Sequence, residues 1–404
     1  MFARESIAAL LCQLNRYQLQ CMKQLVFSLC LLIYPCHSIL MAQPDLPADK
    51  RASPATVNLY RNLKKHLDKG VLFGHQDDLA YGVHWFGDKN RSNLNDLVGE
   101  YPAVYGWELG HLELDATYNL DSVPFTRMRE YILEGYQKGG VITISWHLRN
   151  PVNGKTAWDD AKGVVKEILP GGSKHNLYLS WVDKVAVFLN SLKTPSGELV
   201  PVIFRPFHEL TGNWFWWGQD RCTAEEYKQL MRMTITYLRD TKQLHHLLYA
   251  YNTSGFKSKE AFMERYPGND LIDILSFDDY QYGDASKDNS FVKNIDLQLG
   301  LLESMAAENN KIPAWAETGY EKIPYSKWWT ECLLKSIGQH RLSYVLVWRD
   351  GGLVTGKAPR EFAPSDTHFL PVPAHSSEPD FLKMYFSGKF LFQKGAAALK
   401  LYDK

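Results

Sequence analysis

The fold follows from two apolar runs, VITISW at Val141–Trp146 and VPVIFR at Val200–Arg205. Both runs are rich in β-branched residues and are short enough to be strands buried on both faces. Between them lies Leu177–Leu192, in which apolar residues recur every three or four positions, as on one face of a helix. A strand, a helix and a second strand in this order form a βαβ unit with parallel strands.

The same alternation of strand and helix continues on both sides of this unit. Six further strands are predicted at Val71–Gly74, Ala103–Gly106, Leu247–Tyr251, Ile272–Phe277, Ile312–Ala316 and Tyr344–Trp348. The other helices are predicted at Ala55–Leu67, Phe125–Lys138, Ala224–Thr241, Ile295–Glu308 and Lys327–Ile337. Eight such units indicate the α/β class and, more narrowly, a (β/α)₈ TIM barrel. No GxGxxG motif follows the first strand, and no flexible linker divides residues 43–404, so we predict a single domain.

The first 42 residues differ from the rest and predict an export signal. Met22-Lys23 begin a short positive stretch, Leu25–Leu40 is apolar, and Met41-Ala42 forms a cleavage site with a small last residue. Met22 is an alternative start of translation. We expect a periplasmic or secreted protein without an integral membrane span in the mature chain. The alternative is a lipoprotein signal in which Cys36 is the acylated residue.

The charge balance excludes one large class of partner. The 404 residues contain 45 basic and 45 acidic side chains, and removing the export signal leaves 42 against 44. A chain without excess positive charge lacks the electrostatic field that attracts nucleic acid.

The 12 Trp residues all lie beyond the export signal, which favours an aromatic binding surface. We expect the protein to act as a monomer.

Polar and aromatic residues follow the predicted strands, and in a barrel of this kind the active site lies at those strand ends. The strand ends supply His75, Trp107-Glu108, His147, Arg205–Glu209, Tyr251-Asn252, Asp278–Tyr282, Glu317 and Trp348–Asp350. His, Glu, Asp, Arg, Trp and Tyr at one mouth are the groups that bind polyols. The sequence therefore predicts a carbohydrate site.

Two glutamates, Glu209 and Glu317, end the fourth and seventh strands and face each other across the predicted mouth. Such a pair can act as acid/base and nucleophile of a glycosidase, with carboxyl groups about 5–5.5 Å apart for retention or about 6.5–9.5 Å for inversion. The alternative is that they only form salt bridges with Arg205 or Arg349. Position 212 is Gly, so an H-E-x-x-H zinc motif is absent, and there is no G-x-S-x-G motif. We expect no metal and no cofactor.

The strand-four motif then becomes recognisable. Arg205-Pro-Phe-His-Glu209 with Gly212-Asn-Trp-Phe-Trp-Trp-Gly218 resembles the signature of glycoside hydrolase family 26, which consists chiefly of β-mannanases. Trp315–Gly319, Phe73–Gln76 and Ser145–His147 are similar to other strand ends of that family. The resemblance implies a retaining β-1,4-mannanase acting on mannan or galactomannan, with Glu209 as acid/base and Glu317 as nucleophile. The alternatives are another retaining β-glycanase, such as a mixed-linkage glucanase or a xylanase, and a non-catalytic carbohydrate-binding barrel.

The resemblance also implies roles for residues around the two glutamates. His208 lies beside the acid/base, Arg205 orients a carboxylate, His147 lines the subsite of the reacting sugar, and Arg349 reaches the next sugar. Tyr282, or else Tyr280, hydrogen-bonds the nucleophile. We expect substrate contacts from His75, Trp107, Trp158, Trp214, Trp217 and Trp348. Insertions after strands three and eight, at Leu148–Asn176 and Asp350–Pro379, leave open whether cleavage is internal or releases mannobiose.

Overall fold

Eight parallel strands form a closed barrel in the computed structural model, which describes residues 45–351 and 367–404. In chain order the strands are β1 (Val71–Gln76), β2 (Tyr81–Gly82), β3 (Trp85–Phe86), β4 (Val104–Glu108), β5 (Val141–Trp146), β6 (Val202–Pro206), β7 (Leu247–Ser254), β8 (Ile274–Asp278), β9 (Ile312–Thr318), β10 (Tyr344–Val347) and β11 (Phe390–Leu391). β1 and β4 to β10 each pair in parallel with the next, and β10 pairs back with β1. The predicted (β/α)₈ barrel is therefore confirmed.

Helices surround the barrel. They are α1 (Pro54–Lys65), α2 (Asn93–Val98), α3 (Phe125–Gln137), α4 (Val164–Ile168), α5 (His175–Asn190), α6 (Ala224–Thr236), α7 (Lys259–Met263), α8 (Ser290–Asn309), α9 (Lys335–Ile337), α10 (Glu378–Tyr385) and α11 (Gln393–Leu399). The sequence Thr223–Glu226 forms the capping box at the start of α6, because each side chain bonds the other's backbone N–H. Tyr237–Thr241 and Trp329–Leu334 are π-helical, and Leu112–Leu114 is a 3₁₀ turn.

The core has two layers, because successive side chains of a strand point to opposite faces. On β6, Ile203 belongs to the inner cluster of the barrel, whereas Val202 and Phe204 pack outwards among the helices. Residues of α1, including Leu59 and Leu63, join the inner cluster and cover the N-terminal end of the barrel. The C-terminal ends of the strands are left for a binding site.

Several features differ from the sequence-based prediction, and three of them concern strands. β6 begins at Val202 rather than Val200, because Pro201 has no N–H for a ladder hydrogen bond. The short β11 pairs with the start of β1, and β2 and β3 form a separate hairpin; neither was predicted. The predicted export segment, residues 1–42 with Met22 and Cys36, lies outside the described residues, as do residues 352–366 of the insertion after strand eight.

Residues Asp45–Lys404 form one compact unit. Across the described ranges, no helix combines the length and the apolar character that crossing a bilayer requires.

Candidate active site

Three carboxylates converge above the barrel: Glu209 after β6, Asp278 at the end of β8 and Glu317 near the end of β9. One oxygen from each lies within 4.8 Å of an oxygen from the other two. Asp278 and Glu317 are buried, whereas Glu209 is half-buried. The two glutamates that the sequence singled out are therefore neighbours, and the carboxylate of Asp278, at the end of a third strand, lies beside them.

Arg205 neutralises part of this negative charge. Its guanidinium donates to Asp278 at 2.9 Å and forms a second ion pair with Glu317. Asn252 donates a further hydrogen bond of 2.7 Å to the same oxygen of Asp278. Burial raises the pKa of Asp278, and the positive charge of Arg205 opposes this effect. The predicted role of Arg205, to orient a carboxylate, agrees with this geometry.

A bulge in β9 gives Glu317 its direction. Ala314 and Ala316 belong to the inner cluster and Trp315 to the outer one, so strict alternation would turn Glu317 outwards. The pairing with β8 shifts register just before Glu317, which places Glu317 opposite the inward-facing Asp278. A bulge of this kind redirects a side chain, and here it turns the carboxylate into the mouth.

The hydroxyl of Tyr280 donates a 2.8 Å hydrogen bond to Oε2 of Glu317. Of the two candidate tyrosines, Tyr280 is therefore the one that contacts the carboxylate, whereas Tyr282 is 80% exposed. Burial and the charge of Glu317 raise the pKa of Tyr280 well above its usual value, so its hydroxyl keeps its proton.

Glu209 sits on a sharp turn and has an environment different from that of Glu317. Phe207 and Glu209 both have φ of 53°, in the left-handed region. Trp214 donates its indole N–H to the Glu209 carboxylate. Burial and the negative charge of Glu317 raise the pKa of Glu209 to about 7, and the hydrogen bond from Trp214 opposes them. At neutral pH, Glu209 therefore exchanges a proton readily, as a general acid/base must.

A second polar cluster lies beside Glu209. His147 at the end of β5 contacts Glu108 through Nδ1, at 2.8 Å, and His208 through Nε2, at 3.0 Å. The Trp158 ring stacks on His147 with 4.8 Å between ring centroids and an angle of 12°. Half of the Trp158 side chain is exposed and can contact a ligand.

Aromatic and cationic side chains line the rim. Trp214 and Trp158 are half-exposed, Tyr282 is mostly exposed, and Trp348 is partly buried. Arg349 lies 2.8 Å from the carboxylate of buried Asp121 and keeps part of its side chain exposed. Exposed indole and phenol faces of this kind suit the apolar faces of sugar rings.

Three predicted substrate contacts are corrected by the structure. Trp107 is fully buried and stacks on Tyr131, because on β4 it points outwards to the helices. Trp217 is also fully buried, and its indole N–H donates to the backbone oxygen of His208. His75 is 1% exposed and pairs with Asp78, at 2.8 Å. Because all three side chains are buried, we assign them no contact with a substrate.

Three residues that sequence reasoning left without a role belong to the site: Glu108, Asp121 and Asp278. Alternation along the strands could have found two of them. Val104 and Gly106 face inwards on β4, which puts Glu108 inside and Trp107 outside; the same count puts Asp278 inside on β8. Asp121 lies in a loop, where no such signal exists.

The oxygens of the three convergent carboxylates lie close enough together to bind one metal ion. In the described part of the chain, this is the one group of three or more potential ligands with such spacing. The guanidinium of Arg205 already pairs with two of them. The positive charge is thus supplied by the protein itself, and we assign no metal to this group.

Comparison with known proteins identifies the family. The family model described as glycosyl hydrolase family 26 matches residues 48–336. The chain is 31% identical over 279 residues to a mannan endo-1,4-beta-mannosidase from Bifidobacterium adolescentis, which covers 67% of this chain but only 28% of that relative. A mannan endo-1,4-beta-mannosidase from Bacillus subtilis strain 168 is 28% identical over 260 residues, covering 61% of this chain and 68% of the relative.

Solved structures agree with the sequence comparison. A GH26 beta-mannanase from Bacteroides ovatus has 44% identity and a TM-score of 0.80, covering 87% of this chain and 98% of that one. A modular endo-beta-1,4-mannanase from Cellulomonas fimi has 28% identity and a TM-score of 0.78, covering 89% and 79%. Since the family match extends over most of the barrel and includes both Glu209 and Glu317, the chain belongs to glycosyl hydrolase family 26.

Proposed function

We propose that the protein is a retaining β-1,4-mannanase that hydrolyses mannan or galactomannan by double displacement. The relatives support the substrate, because those described above are mannan endo-1,4-beta-mannosidases or β-mannanases. The observation that carries the mechanism is the pair Glu209 and Glu317, whose carboxylate oxygens come within 4.8 Å of each other. This separation favours direct attack by a carboxylate over an inverting reaction, which needs a gap of about 6.5–9.5 Å to admit a water molecule.

In the first step, Glu317 attacks the anomeric carbon while Glu209 protonates the glycosidic oxygen that leaves. The two carboxyls differ as these roles require. Glu317 is held by Arg205 and Tyr280, which stabilise an ionised and oriented nucleophile. Glu209 has its pKa raised to about 7 and so retains a proton at mildly acidic to neutral pH.

In the second step, Glu209 removes a proton from water, which attacks the glycosyl–Glu317 ester. Forming that ester removes the charge of Glu317, and this charge is one of the causes that raise the pKa of Glu209. The pKa of Glu209 should therefore fall once the intermediate forms. The same residue then becomes a better base when a base is needed.

We also propose that the protein acts outside the cytoplasm, which the export pattern of residues 1–42 supports. A polysaccharide substrate does not cross a membrane, so its hydrolysis must take place on the outer side.

The anomeric configuration of the first product tests the mechanism. Proton NMR during early hydrolysis of a mannan oligosaccharide should show the β-anomer first. The α-anomer as first product would contradict retention. Parallel assays on mannan, lichenan and xylan test the substrate, and activity on lichenan or xylan without activity on mannan would contradict it.

Two variants separate the roles of the carboxylates. Glu317→Ala should lose several orders of magnitude in kcat on every substrate. Glu209→Ala should lose as much on mannan, yet should still release a leaving group that needs no protonation, such as dinitrophenolate from an aryl β-mannoside. Near wild-type turnover of mannan by either variant would overturn its assigned role.

A further inference from the structure

A hydrogen-bonded chain of three buried side chains connects β4 to the turn after β6. It consists of the Glu108 carboxylate, the His147 ring and the His208 ring, with contacts of 2.8 Å and 3.0 Å. Glu108 also accepts hydrogen bonds from the backbone N–H groups of His147 and Gly110 and from the hydroxyl of Ser145. These donors all point at the two carboxylate oxygens of Glu108. Hydrogen bonds of this kind stabilise the ionised form of Glu108.

The contact between the two rings requires unequal protonation. Two ring nitrogens share a hydrogen bond only when one carries hydrogen and the other does not. Burial acts to lower the pKa of His147, but the adjacent Glu108 outweighs it and the pKa is raised. Burial and the charge of His147 lower the pKa of His208 well below its usual value. These two directions favour His147 as the cation and donor and His208 as the neutral acceptor.

The cation faces the reacting groups. The titratable groups that interact with His147 come from β4, the loop after it, the turn after β6, and β9: Glu108, Asp121, His208, Glu209 and Glu317. Trp158 and Phe215 cover the ring, with centroid distances of 4.8 Å and 5.2 Å. Because these aromatic rings exclude water, the charge of His147 is poorly screened from its neighbours.

We propose that Glu108 is a positioning residue that keeps His147 positively charged beside Glu209 and Glu317 and thereby sets the pH range of catalysis. This proposal rests on the function proposed above. A fixed cation favours the ionised form of Glu209. Without the charge of Glu108, His147 would lose its proton, and Glu209 would hold its own proton to higher pH.

The variant Glu108→Gln tests this role, because it keeps the size of the side chain and removes the charge. We expect the alkaline limb of the pH profile of kcat/KM on an aryl β-mannoside, which Glu209 sets, to move upwards by roughly one pH unit. On that limb this shift corresponds to a roughly tenfold gain of kcat/KM at fixed pH. A fall in kcat with the alkaline limb in place would show a purely structural role and would overturn the proposal.

The matched control is Ser145→Ala, which removes one hydrogen bond to the same carboxylate, of 2.6 Å, and leaves its charge. The pH profile of Ser145→Ala should shift by only a small fraction of the shift seen in Glu108→Gln. An equal shift in the control would mean that the charge is not the cause, and would also overturn the proposal.

A measurement on the wild-type protein is independent of whether Glu108→Gln folds. The NMR signals of the His147 ring, assigned by comparison with His147→Gln, should be those of imidazolium at pH 7, where an unperturbed histidine is mostly neutral (pKa about 6.5). A neutral His147 ring at that pH overturns the proposal. A charged His147 in a protein that does not hydrolyse mannan supports the proposed role of Glu108 and contradicts only the proposed substrate.

Discussion

At the scale of single residues, the indole N–H of Trp214 influences when Glu209 carries its proton. This donor stabilises the ionised carboxylate and so opposes the burial and the Glu317 charge that raise the pKa of Glu209 to about 7. Trp214→Phe removes the donor but keeps an aromatic ring. We expect the pKa of Glu209 to rise further, and the alkaline limb of the pH profile of kcat/KM to move up by roughly half a unit to one unit.

The control for this prediction is Trp217→Phe. It deletes the same kind of N–H, but one directed at the backbone oxygen of His208 at 2.9 Å. The alkaline limb should not move in this variant, because no carboxylate loses a donor. If the limb stays in place in Trp214→Phe, the proposed control of Glu209 by Trp214 is wrong.

Tyr280 makes a comparable contribution to the nucleophile. Its hydroxyl donates to Oε2 of Glu317 at 2.8 Å, and a hydrogen bond to a charged group is worth about 1.5–3 kcal/mol. Tyr280→Phe should therefore lower kcat by roughly 10- to 100-fold, as measured by steady-state kinetics on mannan.

The neighbouring Tyr282→Phe provides the comparison. Tyr282 is 80% exposed and the described structure gives it no contact with Glu317, so we expect its effect to be confined largely to KM. Equal losses of kcat in the two variants would contradict the assignment of Tyr280.

At the scale of elements, the loop between β5 and α4 is held in shape by one buried carboxylate. Asp159 accepts hydrogen bonds from Asn150 at 2.5 Å and from Asn153 at 2.6 Å. The hydrogen bond from Asn153 is the main cause that lowers the pKa of Asp159, so it stays ionised at neutral pH. The adjacent Trp158 is thereby presented flat against His147.

We expect Asp159→Ala to loosen this loop and to raise KM for mannan by about tenfold, the equivalent of about 1.4 kcal/mol in binding. kcat should change much less, because Glu209 and Glu317 stand on other loops and strands. The control is Lys155→Ala, whose exposed ammonium lies 3.4 Å from Asp159 and should contribute little. An unchanged KM in Asp159→Ala would show that the loop keeps its shape without the carboxylate.

At the scale of the whole molecule, buried His246 makes stability depend on pH. Burial lowers its pKa to about 4, whereas a histidine of the unfolded chain titrates near pH 6.5. Between these values the unfolded state binds more protons, so the free energy of unfolding decreases as the pH falls. The contribution of His246 is complete above about pH 6.5, and about 3 kcal/mol of it is lost by about pH 4.

Urea unfolding at several pH values measures this slope, and His246→Gln should make it shallower. Asp273 adds a slope of opposite sign, because burial raises its pKa to about 6 and the folded state then holds the extra proton. The test is therefore the difference in slope between the variant and the wild type. Exposed His84, changed to Gln, is the control and should leave the slope as it was; an equal slope in wild type and His246→Gln would contradict the prediction.

Much of the molecule was predictable from residues close in sequence. The alternation of apolar runs and amphipathic stretches predicted the barrel, and the motif around Glu209 predicted the family; both predictions are confirmed. These features were accessible because strand burial, helix periodicity and a contiguous motif are all local properties. They also placed Glu209 and Glu317 at two strand ends of one mouth.

The arrangement of the site depends on contacts between residues far apart in sequence. That Glu317 points into the mouth follows from a bulge in β9, which cancels the alternation that would turn it outwards. That Trp107 packs outside while Glu108 meets His147 follows from the phase of β4 within the closed barrel. Local patterns show which residue types end each strand. They do not show which side chains face inwards or which charges those side chains meet. These contacts form only when the sheet closes and strands distant in sequence become neighbours.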